Sequence, residues 1–170
     1  MKRICAILAL IVLLAGCGSS AADPAPTATP EPMKQEPKTV YFGSDEVVDA
    51  FLTAYNATAE IKIPPEEVEK GNIKTKALVY MEDLSFEIIH APEFLSVSVG
   101  VDPENEETKL RAVFGDVIAA ARPEISGEDA DAAWEEMHAT GYLVEGFALG
   151  DMTITYVPTK ARIDMKIPLK

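Results

Sequence analysis

Between Ser44 and about Ala57 the apolar residues Val47, Val48, Phe51, Leu52 and Tyr55 recur at helical spacing, which predicts a first helix. Ser44-Asp45-Glu46 opens it with a hydroxyl near the cap and two acids at the positive end of the helix dipole. With Gly43 as the cap, Phe42 falls where a hydrophobic staple would sit. Pro64-Pro65 then interrupts the chain, and beyond it the period shortens to two. Ile73, Thr75, Ala77, Val79 and Met81 alternate with Asn72, Lys74, Lys76, Leu78 and Tyr80. After a turn at Glu82-Asp83, Leu84, Phe86 and Ile88 alternate with Ser85 and Glu87. Leu95, Val97, Val99 and Val101 alternate with Ser96, Ser98 and Gly100, the pattern of an antiparallel strand with one face in water.

Helical spacing returns with Leu110, Val113, Phe114, Val117, Ile118 and Ala121, entered by Asp102-Pro103-Glu104 and stopped by Pro123. Ser126-Gly127-Glu128-Asp129 fits a capping box for a third helix through Ala130, Ala133, Trp134 and Met137, with Gly141 as its stop. Tyr142–Leu149 and Met152–Val157 flank Gly150-Asp151, a two-residue hairpin turn of type I′ or II′. A last strand sets Ala161, Ile163, Met165 and Ile167 against Lys160, Arg162, Asp164 and Lys166. The order α-β-β-β-α-α-β-β-β predicts an α+β domain over 39–170, an antiparallel sheet of about five to six strands with helices on one face.

The residues before 39 follow another logic. Lys2 and Arg3 precede an apolar run from Ile4 to Leu14, too short to span a bilayer core that needs about 20 apolar residues. Its length and flanks are those of a secretory signal, 1–16. Leu14-Ala15-Gly16-Cys17 resembles the lipobox of bacterial lipoproteins, in which small residues admit the chain to a peptidase and the thiol takes up lipid. At about 0.8 kcal/mol per buried CH₂, two or more acyl chains on Cys17 make a durable membrane anchor on the extracytoplasmic face. From there to Lys38 the chain is rich in Ala, Thr, Ser, Glu and Pro, with no apolar period to bury, which predicts an extended tether reaching roughly 60–70 Å.

Cysteine usage narrows the chemistry. Cys5 leaves with the signal and Cys17 carries lipid, so the domain has no disulfide, thiol nucleophile or thiolate metal site. Loss of Lys2 and Arg3 leaves 13 basic against 28 acidic residues, net −15, which disfavours nucleic acid and anionic lipid as partners of the domain as a whole.

Lys70-Gly71-Asn72-Ile73-Lys74-Thr75-Lys76, Phe114-Gly115-Asp116-Val117-Ile118 and Thr153-Ile154-Thr155-Tyr156-Val157-Pro158 occur in this order along the domain. In them the chain resembles small lipoproteins and exported domains of Gram-positive Firmicutes. The resemblance implies the compartment and the domain bounds. That family has no assigned activity, so it brings no site residue.

The chemistry-bearing residues are few. His90 ends a strand and His138 ends the third helix, where a histidine suits the dipole; neither sits in a His-x₃-His or Glu-x-x-His pattern. Asp102, Glu104 and Glu106 begin like a calcium loop, but Glu107 and Val113 stand where that loop needs glycine and glutamate. No G-x-S-x-G, Ser-x-x-Lys, P-loop or dinucleotide glycine pattern occurs. Asn56-Ala57-Thr58 reads as a helix end, and Tyr55 and Trp134 as core.

Charge is the remaining signal. Pro123 to Thr159 contains no Lys or Arg, while Lys74 and Lys76 fall on the first strand and Lys160, Arg162 and Lys166 on the last. By alternation these basic residues share the open sheet face with Ser96 and Ser98, and with Thr153 and Thr155 if the strands join one sheet. Two functions fit. One is a non-enzymatic envelope module whose basic face meets an envelope protein or an anionic wall polymer, with no cofactor. The other is an enzyme or a metal or solute binder assembled from scattered acids.

Overall fold

A computed structural model of the chain describes residues 39–102, 106–140 and 144–170. The signal, the lipobox and the tether lie outside the described residues, as do the entry to the second helix at 103–105 and the stop at Gly141. Helix α1 runs from Glu46 to Thr58. Its cap is Asp45, whose Oδ1 accepts from the N–H groups of Val47 (3.0 Å) and Val48 (3.1 Å). Ser44 donates instead to the carbonyl of Lys74 at 3.0 Å. A carboxylate outcompetes a hydroxyl here because it meets two unpaired N–H groups at the positive end of the helix. Phe42 is buried beside this entry, and Asp49 Oδ1 accepts from the backbone of Tyr41 and Phe42. Asn56 pairs both ways with the backbone of Ile63, so its side chain holds the loop after α1.

After a 3-10 turn at Pro65–Glu67 come the strands β1 (Val68–Lys70), β2 (Lys76–Met81), β3 (Leu84–Ala91) and β4 (Phe94–Val101). Helices α2 (Glu106–Ala121) and α3 (Gly127–Ala139) follow. The chain ends its sheet with β5 (Val144–Leu149), β6 (Met152–Val157), a 3-10 turn at Pro158–Lys160, and β7 (Arg162–Pro168). Ser126 caps α3 as expected, accepting from the N–H of Asp129. Gly150 has φ of 61° and Asp151 has no positive φ, so the hairpin turn is of type II′.

The α+β class with an antiparallel sheet holds. The sheet has seven strands in the order β1-β2-β3-β4-β7-β6-β5, every pair antiparallel, rather than five or six. The additional strand is β1, whose three residues are too short and too polar to show a period of two. Two meanders, β1–β4 and β5–β7, therefore meet along β4 and β7, and α2 and α3 carry the chain between them. None of the described helices is long and apolar enough to cross a membrane.

Register puts the apolar residues on one face. Val79, Phe86, Val99, Ile163 and Tyr156 form one cross-strand row, and Ala77, Ile88, Val97, Met165 and Ile154 form the next. All ten are buried. The helices cover this face: Tyr55 of α1 meets Phe86 edge-on at 5.5 Å, and Trp134 of α3 packs on Tyr156 at 5.6 Å. Arg111 of α2 joins α3 through Asp131 and Glu135.

Candidate functional site

The opposite face carries the polar members of the same strands. Tyr80, Ser85, Gly100, Arg162 and Val157 form one row across it, and Leu78, Glu87, Ser98, Asp164 and Thr155 the next. A third row holds Lys76, Ile89, Ser96, Lys166 and Thr153. The threonines thus join the two serines on one surface.

Of the basic residues that the sequence assigns to this face, Lys76, Arg162 and Lys166 lie on it. Lys74 lies in the turn before β2, and Lys160 ends the 3-10 turn before β7. Each departs from the strand for a local reason. The carbonyl of Ile73 accepts from the N–H of Lys76, a turn that delays β2. At the other end, Pro158 removes an N–H, and Ala161 takes φ of 45° to bring the chain back into the sheet.

The three strand cations are engaged within the molecule. Lys76 Nζ lies 2.8 Å from Glu87 Oε2. Arg162 Nε donates to Asp164 Oδ1 at 2.7 Å, and its Nη2 donates to Ser98 Oγ at 3.1 Å. Lys166 Nζ stands 4.3 Å from the centroid of the Phe94 ring. The face is therefore a mosaic of paired charges rather than a positive field. Among the described residues its strands contribute three cations and three carboxylates (Glu69, Glu87 and Asp164), among half-buried Leu78 and Ile89 and an exposed Tyr80.

Two adjoining depressions mark this mosaic. One, of 440 Å³, lies between the β2–β3 turn and Lys160 and includes Glu82, Asp83, Asp102 and Arg162. The other, of 200 Å³, includes Leu78, Tyr80, Glu87 and Ser98. They share Ser85, Gly100 and Arg162. Gly100 makes the low point because it presents no side chain where its neighbours in β4 present serines. A Cβ there would come within 3.1 Å of Ser85 Oγ. Arg162 stands in the low point with a guanidinium held by Asp164 and Ser98, so its orientation is set before any ligand arrives. Gly100 breaking the serine alternation is the sequence signal for the notch, but its position opposite Arg162 depends on register.

The histidines are elsewhere. His90 is on the helix side of the sheet, its Nδ1 2.9 Å from Asp45 Oδ2. Burial pushes the Asp45 carboxyl upward, but the bond with His90 and the N–H groups of Val48 and Val47 outweigh it and leave it below its ordinary value. The pair ties the start of α1 to β3. His138 stacks on Trp134 at 6.0 Å between centroids. Asp116, half-buried on α2, has its carboxyl raised, chiefly by burial. It also helps raise the buried Tyr55 hydroxyl, which has no hydrogen-bond partner among the described residues. Among the described residues no group of three His, Cys, Asp or Glu side chains is placed to hold a metal ion.

The sequence reading passed over Arg122, which is buried between the helices and the sheet ends. Its Nε and Nη2 donate to the two carboxylate oxygens of Asp151 at 2.7 and 3.0 Å. It also donates to the carbonyls of Ala121 (2.8 Å) and Pro168 (2.6 Å). Compared with protein-family models, curated proteins and solved structures, the chain matches none of them.

Proposed function

We propose that this chain is a lipoprotein of the bacterial cell envelope, anchored on the extracytoplasmic face through lipid on Cys17. Its domain acts as a non-enzymatic module that binds an envelope protein through the open sheet face. The observation that carries the binding role is the mosaic around Arg162. An uncovered, mixed-charge surface with an exposed tyrosine and a pre-set guanidinium suits a folded or peptide partner bearing a carboxylate. A uniform anionic polymer suits it less, since Glu82, Asp83 and Asp102 stand around the same depression as Arg162. The anchoring role is supported by the order of apolar run, small residues, cysteine and proline-rich stretch ahead of the domain.

The test has two arms. Cells grown with radiolabelled fatty acid label the parent chain and not Cys17→Ala; equal labelling of both refutes the anchor. Envelope protein cross-linked to the parent is lost from Arg162→Glu at unchanged folding, while polyphosphate binds neither. Retention by Arg162→Glu, or tight binding of polyphosphate, refutes the open face as the protein-binding surface.

A further inference from the structure

A second surface lies at the far end of the sheet, away from Arg162. Among the described residues the outer strand β5 has no strand on its free side, since the sheet order ends with it. Its residues Phe147 and Leu149 pair with the core residues Ile154 and Met152, so they face the helix side. There they stay half-buried, because α3 runs beside them without covering them. A groove of 380 Å³ results, with Phe147, Leu149 and Ala133 beneath and Glu124, Asp129 and Glu136 along the rim.

The backbone of β5 is arranged for one more strand. Leu149 and Met152 flank the two-residue turn and are the hydrogen-bonded pair of the ladder, so the N–H and C=O of Ala148 between the paired residues point to the free edge. A β-bulge between Val144 and Phe147, with Gly146 at φ of 75°, breaks the register upstream. It confines any added strand to the segment from Phe147 to Leu149. Such a bulge also keeps two copies of a sheet edge from zipping together.

The charge around the groove has one sign. Pro123 to Thr159 contains no Lys or Arg. The cations at its margin are engaged: Arg122 with Asp151, and Lys170 with Glu124 at 3.0 Å. Asp129 accepts from Ser126 Oγ at 2.7 Å, and both Asp129 and Glu136 are exposed.

From these observations we propose that the groove between α3 and β5 is a docking site for an extended peptide segment whose every second residue, on the one face turned to the groove, is apolar at the centre and basic at the ends. The segment adds as a strand beside Phe147–Leu149. Strand geometry places every second side chain, about 6.6 Å apart, over the groove. Apolar ones rest on Phe147 and Leu149, and basic ones reach Asp129 and Glu136. Main-chain bonds at Ala148 supply affinity and the acidic rim supplies selection, the division of labour in strand-addition recognition.

The experiment uses the full chain purified in detergent, titrated with two labelled heptapeptides, one of sequence Lys-Thr-Val-Thr-Val-Thr-Lys, which turns both lysines and both valines to one face, and one with glutamate in place of both lysines. The lysine peptide binds, slows hydrogen exchange at the Ala148 amide, and loses affinity by roughly threefold to tenfold in the Asp129→Asn, Glu136→Gln double variant. The glutamate peptide does not bind. Both substitutions are on an exposed helix face, so folding is retained. Equal binding of the two peptides, or protection elsewhere on the sheet, overturns the proposal. So does an Ala148 amide already protected without peptide and freed by deletion of residues 19–38, which assigns the groove to the chain's own tether. A concentration-dependent dimer that protects Ala148 likewise overturns it, in favour of a second copy.

Discussion

Replacing Arg122 by alanine removes the polar joint between the end of α2, the β5–β6 turn and the end of β7. Arg122 is 8 % exposed, and its guanidinium makes two bonds to backbone carbonyls, at Ala121 and Pro168, besides the two to Asp151. A hydrogen bond from a charged donor contributes about 1.5–3 kcal/mol. The two carbonyl bonds carry the expected loss, because Asp151 is 44 % exposed and water takes over its solvation when the arginine leaves. Relief of the desolvation of the buried cation offsets part of this, leaving a net loss of about 2–4 kcal/mol. For a domain of this size that lowers the melting temperature by roughly 10 °C. Arg122→Lys falls between, since one ammonium cannot reach both carbonyls and the carboxylate in the fork geometry of arginine. Asp151→Asn loses less than Arg122→Ala at neutral pH, since the amide oxygen keeps one acceptor for the guanidinium and both carbonyl bonds remain. The assay is thermal melting of the three variants by circular dichroism at pH 7. An Arg122→Ala variant melting within about 2 °C of the parent refutes the reasoning. So does an Asp151→Asn variant that falls as far as the alanine one, which would place the stabilisation in the ion pair.

The cap of α1 gives a pH signature: Asp45→Ala loses about 1–2 kcal/mol at neutral pH in urea titrations. Because the folded Asp45 carboxyl lies below its ordinary value of 3.8, its contribution is full above that value and is lost as pH falls through the folded one, so parent and variant converge in acid. Asp116 has the opposite sign. Its folded carboxyl is raised above 3.8, by burial first, so its favourable contribution exists below that value and is lost as pH rises; Asp116→Asn therefore gains stability at pH 7 and none at pH 3 in the same titrations. At the II′ turn, Gly150→Ala loses about 1–2 kcal/mol by the same measurement. Its φ is 61°, and the added methyl comes 3.3 Å from Ile125 Cδ1.

What the sequence revealed depended on how local the physics was. The period of two placed Val97, Val99, Ile163 and Met165 on one buried face, because burial on a sheet face is written into every second residue. Ser126 before an acid and Gly150-Asp151 between strands announced a cap and a turn for the same reason. The strand β1 was silent: Val68, Glu69 and Lys70 pair with β2, but one apolar residue among three shows no period. The open face was half legible. Alternation assigned Lys76, Arg162 and Lys166 to it, but their engagement by Glu87, Asp164, Ser98 and Phe94 depends on register and rotamer, which no alternation encodes. Arg122 was unreadable for a related reason, since its partners come from three separate elements.

The join between the two meanders has a consequence for how the polypeptide matures. Ser98 of β4 and Arg162 of β7 meet across 64 residues. Until β7 emerges, β4 is the unpaired margin of a half-finished sheet. That margin is eight residues long, with Leu95, Val97, Val99 and Val101 apolar on one side. Closing such a loop carries an entropic cost that the local hairpins avoid, so assembly is expected to wait on this one long-range step. During that interval a nascent chain offers neighbouring nascent chains an adhesive ribbon, where the finished protein offers only a short strand and a bulged one. Crowding of ribosomes, rather than any weakness of the mature fold, is then the condition under which this polypeptide would aggregate.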